Sequence, residues 1–208
     1  MIFVPWHFPL HEDSSIQGAS EKAEKEFKKA YPIIYNHLLK YKDELLKRNQ
    51  EETGIRYEWY AMQRCAATYY PEFEKEKVVW NRIVSKKEFS FVDKDILIQD
   101  SMHFIVGKNL FFFVSILNSR LFNWLLNIII GTAVGGNAAN ADNVKNLFIP
   151  ELKENEQKTF IDLANKIISL KKQNPNADTT ELENQIDKLV YQLYNLTTDE
   201  IKIIEGEK

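Results

Sequence analysis

Cysteine is nearly absent: Cys65 is the single thiol among 208 residues. An internal disulfide framework and a cysteine-based zinc site both need several thiols, so both are excluded, and a reduced, cytoplasmic setting is expected. A glycine-rich phosphate loop is missing too, because Gly135-Gly136 is followed neither by Lys-Ser nor by a further patterned glycine. No Gly-x-Ser-x-Gly elbow and no His-Glu-x-x-His helix occurs. The Asp/Asn-Pro-Pro-Phe/Tyr loop that holds a flipped base for amino-methyl transfer is absent. So is the Pro-Asp and Asp/Glu-x-Lys arrangement of a nuclease, since Asp93-Lys94 and Glu76-Lys77 stand outside its context. His7, His11, His37 and His103 have no acidic partners at metal-ligand spacing. The expectation is a chain without a catalytic centre, cofactor or metal of its own.

Long apolar runs are also lacking. The most hydrophobic stretch, residues 109 to 130, is interrupted by Asn118, Ser119, Arg120, Asn123 and Asn127. A charge at mid-span is costly in lipid, so this stretch reads as a buried helix and not a membrane span. Residues 1 to 9 lack a charged leader, a long apolar core and a small-residue cleavage site, so no signal peptide is expected.

The net charge is only −3, which is neither the signature of disorder nor that of a strongly basic nucleic-acid binder. Its distribution is uneven. Residues 1 to 55 hold 8 Lys/Arg against 9 Asp/Glu, residues 56 to 150 hold 11 against 9, and residues 151 to 208 hold 8 against 12. A weakly positive body beside an acidic tail leaves room for one phosphate-facing surface, because only the face toward DNA must be positive.

What is present is patterned apolar sequence, 44% of the chain, enough to bury a core. Ile34, Leu38, Tyr41 and Leu45 predict one amphipathic helix from Tyr31 to Lys47, ending before the polar loop Asn49 to Gly54. Trp59-Tyr60 opens an aromatic-rich section expected to be rich in strands. Runs at 77–80 with Ile83-Val84, and at 89–92, 96–98 and 104–106, predict a curled, mainly antiparallel sheet. A helix from Leu110 to about Ile129 follows, then a small-residue loop from Gly131 to Asn143 and a short strand ending at Pro150. Phe160, Leu163, Ile167 and Leu170 mark one tail helix, and Leu182, Ile186, Leu189, Val190 and Leu193 a second, capped at Asp178 or Thr179. The fold class expected is α+β, with an N-terminal helix, a sheet with a buried helix, and a C-terminal helical hairpin. Residues 1–150 form the expected body and 151–208 a spacer and protein-contact tail.

Several segments, in order, resemble the TaqI-like C-terminal specificity domain of type IIG restriction-modification enzymes and related adenine-specific DNA methylases. They are Tyr31-Pro32-Ile33-Ile34-Tyr35-Asn36-His37-Leu38 with Arg48 closing the helix, Tyr57-Glu58-Trp59-Tyr60-Ala61-Met62-Gln63-Arg64, and Phe73-Glu74-Lys75-Glu76-Lys77-Val78-Val79-Trp80. Leu117-Asn118-Ser119-Arg120-Leu121-Phe122, Leu147-Phe148-Ile149-Pro150 and the tail through Thr197 complete the set. The chain departs from the family's pattern at 131–143, which is Gly-Asn-Ala-rich where members often carry Arg or Lys. The resemblance implies a non-catalytic target-recognition domain for double-stranded DNA. Its partner would be a catalytic region of the same enzyme that carries S-adenosylmethionine and Mg, and Met1 would begin past that region.

Reading a duplex requires donors and acceptors that reach base edges, plus cations on phosphates. The candidates are Gln63, Arg64, Lys86 and Lys87, with Asn137, Asn140 and Asn143 in the loop where Gly135-Gly136 lets backbone approach closely. Arg120, inside an apolar helix, is expected in an internal salt bridge, and Trp59, Trp80 and Trp124 in the core. Self-association would use the C-terminal helices. The rival reading, favoured by the net charge, is a protein-interaction or regulatory module that no longer binds DNA. A complete small enzyme is opposed by the missing constellations.

Overall fold

Ser20 starts the first helix by accepting the Ala23 N–H on its Oγ at 3.1 Å. Helix α1, Glu21–Ala30, then carries Glu21 and Glu24 in its first turn and Lys28 and Lys29 in its last, matching the helix dipole. The computed structural model describes residues 2–63, 70–82, 88–98, 101–130, 139 and 141–206, and it divides into two compact units, Met1–Glu74 and Lys75–Lys208. The fold is α+β, as expected.

In the first unit, the single helix expected from Tyr31 to Lys47 is two: α2, Pro32–Leu39, and α3, Lys42–Lys47. Pro32 at the first helical position suits the start of α2, where its missing N–H costs nothing. The break follows because the Lys40 N–H turns back to His37 and Leu38 carbonyls and Tyr41 leaves the helical region, with φ −112° and ψ 13°. Ile34, Leu38 and Leu45 still pack on the core, while Tyr41 lies exposed. A short helix α4, Tyr70–Phe73, closes this unit.

The aromatic section holds one isolated bridge, Thr53 to Tyr57, among the described residues, where strands were expected. Tyr57, Trp59, Tyr60 and Ala61 are all buried, and neighbours buried in succession do not fit the alternation of a one-sided strand. They form a ring cluster in which Phe27 meets Tyr60 at 4.6 Å, Tyr35 at 5.8 Å and Phe8 at 5.4 Å. Gly18, at φ +76°, is needed here, because a Cβ would sit 2.7 Å from the Ile55 carbonyl oxygen.

The second unit contains a three-stranded antiparallel sheet ordered β2-β1-β3, from β1 (Lys77–Asn81), β2 (Ser90–Val92) and β3 (Met102–Ile105). Val78 faces Phe91 on one side and Ile105 on the other. The strand expected at 96–98 is instead a turn around the buried Lys77. The Lys77 ammonium donates to the carbonyls of Ile96 (3.1 Å) and Asp93 (3.4 Å), and burial pushes its pKa down. The expected helix 110–129 is two, α5 (Leu110–Leu117) and α6 (Arg120–Ile130), bent by 69° at Asn118-Ser119. No single helix among the described residues is long and apolar enough to cross a membrane.

The strand expected before Pro150 is also overturned. Ala141–Lys145 is a short helix, α7, and the Leu147 N–H closes a turn on the Val144 carbonyl at 3.2 Å. Val144 and Leu147 are buried three residues apart, a helical spacing and not a strand's. Helices α8 (Glu154–Gln173) and α9 (Thr180–Leu193) make the hairpin, and α8 reaches α5 through Phe160 edge-on to Phe112 at 5.5 Å. A further helix, α10 (Thr198–Glu205), is capped by Thr197 and Glu200, whose spacing is a readable capping box.

Arg120 is internally paired, as expected. It bridges to Asp187 at 3.2 Å and Glu205 at 2.9 Å, and donates to Asn184 at 2.8 Å. The Arg120 N–H also donates to Asp187 Oδ1 at 2.8 Å, fixing the start of α6 on α9. Burial raises the Asp187 carboxyl above its ordinary 3.8 despite the opposing pull of Arg120. The folded chain therefore holds this proton more tightly than the unfolded chain, and the stability so gained is lost as pH rises through the raised value. Asp187→Asn is expected to remove this component. As pH rises from 3.8, the wild-type urea midpoint falls relative to the variant's, whereas parallel profiles would show that Asp187 does not contribute it.

Candidate nucleic-acid interface

Gln63 is exposed on a turn at the end of a tightly held segment. Arg48 holds that segment from one side, donating to the carbonyls of Trp59 (2.9 Å) and Ala61 (3.0 Å). The N-terminal residues hold the other side, with the Met62 N–H on the Val4 carbonyl at 2.8 Å and the Trp6 indole on the Met62 carbonyl at 2.8 Å. Glu24 joins the two motif segments, accepting from the Trp59 indole at 2.7 Å and the Tyr35 hydroxyl at 2.9 Å. Burial and that carboxylate push the Tyr35 phenol up to about 12. The motif residues are thus the scaffold, and Gln63 is the polar group they present.

In the second unit, a separate candidate surface is the end of the sheet where β1 stops. The Arg82 N–H donates to Ser101, just ahead of β3, at 3.0 Å, and its carbonyl accepts the Ala139 N–H at 2.7 Å. Trp80 secures Ala139 a second time, its indole donating to the Ala139 carbonyl at 2.8 Å. The Trp80 ring lies 5.4 Å from Phe89 and 5.5 Å from His103. Asn118 pins the start of β2, exchanging bonds with the Phe89 N–H (3.0 Å) and carbonyl (2.7 Å) and donating to Val114 at 2.8 Å. The residues flanking 83–87 and the residue beside Asn140 are therefore gathered at one sheet end.

Arg64, Lys86, Lys87, Asn137 and Asn140 lie outside the described residues. Gln63 belongs to the first unit, and the sheet end to the second. Asn143 lies half-buried in α7. Sequence reasoning missed Arg82, an exposed arginine whose backbone is fixed at both its N–H and its carbonyl. Its signal was weak, an arginine between the apolar runs Lys77–Trp80 and Ile83-Val84.

The first unit also contains a cleft of about 610 Å³, lined among others by Trp6, His7, His11 and Arg56. Beneath it the buried Glu58 accepts the His7 N–H (2.8 Å), the Ser20 N–H (2.8 Å) and a bond from His7 Nδ1 (3.1 Å). Both Glu58 oxygens are engaged, so the carboxylate is an anchor for the surrounding backbone. Among the described residues no group of three or more His, Cys, Asp or Glu side chains is placed to hold a metal ion.

No family model matches the chain, and no curated protein does. Among solved structures it is similar to a Type IIL restriction-modification enzyme, MmeI, in complex with DNA, at 17% identity and a TM-score of 0.57. The likeness covers 90% of this chain and 27% of that one, so this chain spans about a quarter of that enzyme's length. Its fold is one that occurs within a restriction-modification enzyme.

Proposed function

We propose that the chain reads a target sequence in double-stranded DNA on behalf of a restriction-modification enzyme, as a TaqI-like specificity domain without catalysis of its own. The observation that carries this reading is the likeness of fold over 90% of the chain to part of such an enzyme solved with DNA. The gathering of loop anchors at one sheet end supports it. Lys86 and Lys87 would set register on phosphates, while Gln63, Asn137 and Asn140 offer the paired donor and acceptor that matches adenine in the major groove. Arg64 offers the two-pronged fit to guanine. Methyl transfer and any cleavage, with S-adenosylmethionine and Mg, belong to a catalytic partner region in the cytoplasm. The acidic C-terminal helices serve as a protein-contact spacer.

The test is selection from random duplexes at low salt, followed by titration of the enriched duplex against a scrambled one. A short common motif should emerge, with affinity falling steeply with salt as phosphate counterions are displaced, and Arg64→Ala and Lys87→Ala should each weaken it. No enrichment, even with the catalytic region supplied, would sink this reading and favour the protein-interaction module.

A further inference from the structure

We propose that Arg82 is the phosphate-gripping residue that holds DNA at the sheet end where the loop anchors meet, an assignment resting on the DNA reading above. Arginine is the side chain best matched to a phosphate, since its planar fork offers two parallel N–H donors and a permanent charge. The described arginines differ sharply in how those donors are used. Arg48 spends its guanidinium on the carbonyls of Leu45, Trp59 and Ala61. Arg56 pairs with Glu52 at 3.3 Å, and Arg120 with Asp187 and Glu205. Arg82 is exposed, and its guanidinium makes no ion pair or hydrogen bond with any described residue.

Its backbone, by contrast, is bonded at both the N–H and the carbonyl. The N–H bond to Ser101 continues the ladder between β1 and β3, and the carbonyl bond to Ala139 ties the residue to the segment beside Asn140. With the backbone already fixed, gripping an anion has only the side chain's own rotamers left to order. In sequence Arg82 directly precedes the 83–87 segment that carries Lys86 and Lys87, and its carbonyl is bonded to Ala139, the neighbour of Asn140. Lys77, the cation at the opposite end of β1, is fully buried and spent on two carbonyls.

The experiment titrates wild type, Arg82→Ala and Arg82→Lys against the enriched and the scrambled duplex over a range of salt. The wild type is the full chain, with its catalytic region supplied if the chain alone binds weakly. Arg82→Ala should weaken both duplexes by the same factor, about tenfold, and make the slope of log K against log salt shallower by about 0.9, the share of one phosphate. Arg82→Lys should restore the slope and part of the affinity, because the charge returns without the fork. The thermal midpoint of Arg82→Ala and the exchange of the Ala139 amide should match wild type, since both backbone bonds remain. A wild type that binds while Arg82→Ala binds equally well, with the same slope, overturns the Arg82 assignment and leaves the DNA reading standing. A loss confined to the enriched duplex overturns it in favour of base reading, and a shift in thermal midpoint overturns it in favour of a structural role. Failure of the wild type to bind either duplex removes the DNA reading and this assignment together.

Discussion

Glu58→Ala is expected to lower the stability of the first unit by about 3–5 kcal/mol, the range for removing one partner of a buried charged group. Three N–H groups depend on that carboxylate, from the His7 backbone, the His7 ring and the Ser20 backbone. Two of them are backbone donors on separate segments. Ser20 caps α1, while His7 sits in the left-handed region at φ 62°, a conformation that costs energy unless its surroundings hold it. Without the carboxylate these donors are buried with nothing to bond, and both the cap and the N-terminal segment lose their anchor. Glu58→Gln keeps the volume and one accepting oxygen but presents an NH₂ where another donor already points, so its loss should be smaller than alanine's and still clear. Urea unfolding followed by near-UV circular dichroism measures both variants. A midpoint for Glu58→Ala within error of wild type would show that the three bonds contribute nothing net.

Trp80→Ala should cost the second unit a similar amount, about 3–5 kcal/mol, because it empties the space between Phe89 and His103 on a strand buried along most of its length. Trp80→Phe separates packing from tethering. Phenylalanine fills much of the same space but has no N–H to give the Ala139 carbonyl, so the expected loss is about 1–3 kcal/mol, the cost of one unsatisfied buried acceptor. The more specific consequence is local. With one of its two bonds gone, Ala139 should open more often, and its amide, which donates to Arg82, should exchange with solvent faster than in wild type. Under the proposed function, Trp80→Phe also weakens binding of the enriched duplex, since the loop anchor beside Asn140 is no longer fixed. Unchanged exchange at Ala139 would show that the bond to Arg82 alone fixes that residue.

Elements with strong local signals were legible. The β1, β2 and β3 runs, the α8–α9 hairpin and the pairing of Arg120 within the protein were all expected, because apolar spacing and an isolated charge in an apolar helix are local facts. The errors share one physical origin. Helix breaks at Lys40 and at Asn118-Ser119 were read through, because apolar periodicity continues across a bend. At Asn118 the side chain bonds to Phe89, 29 residues earlier in the chain, and at Arg120 the backbone bonds to Asp187, 67 residues later. The Tyr57–Ala61 section reads as strand by composition, yet its Trp59 and Ala61 carbonyls are taken by Arg48, its Tyr57 and Glu58 carbonyls by turns, and its side chains are all buried. Strand propensity yields readily to such a context. Of the candidate DNA contacts, Gln63 has a described setting, and Arg82 emerged once the partners of its backbone were known.

The sequence by itself determined which stretches are amphipathic, where several helices begin, that few thiols and no familiar catalytic constellation are present, and the ordered motifs that resemble a specificity domain. These follow from residue type and short-range spacing. The tertiary structure alone decided which polar groups are committed within the protein and which stay exposed. Arg48, Glu58, Lys77 and Asn118 are spent on the protein's own backbone, while Arg82 is exposed and held through its backbone. A buried donor or acceptor takes whichever partner packing brings within bonding distance, however far away in the chain, and no local pattern encodes that choice.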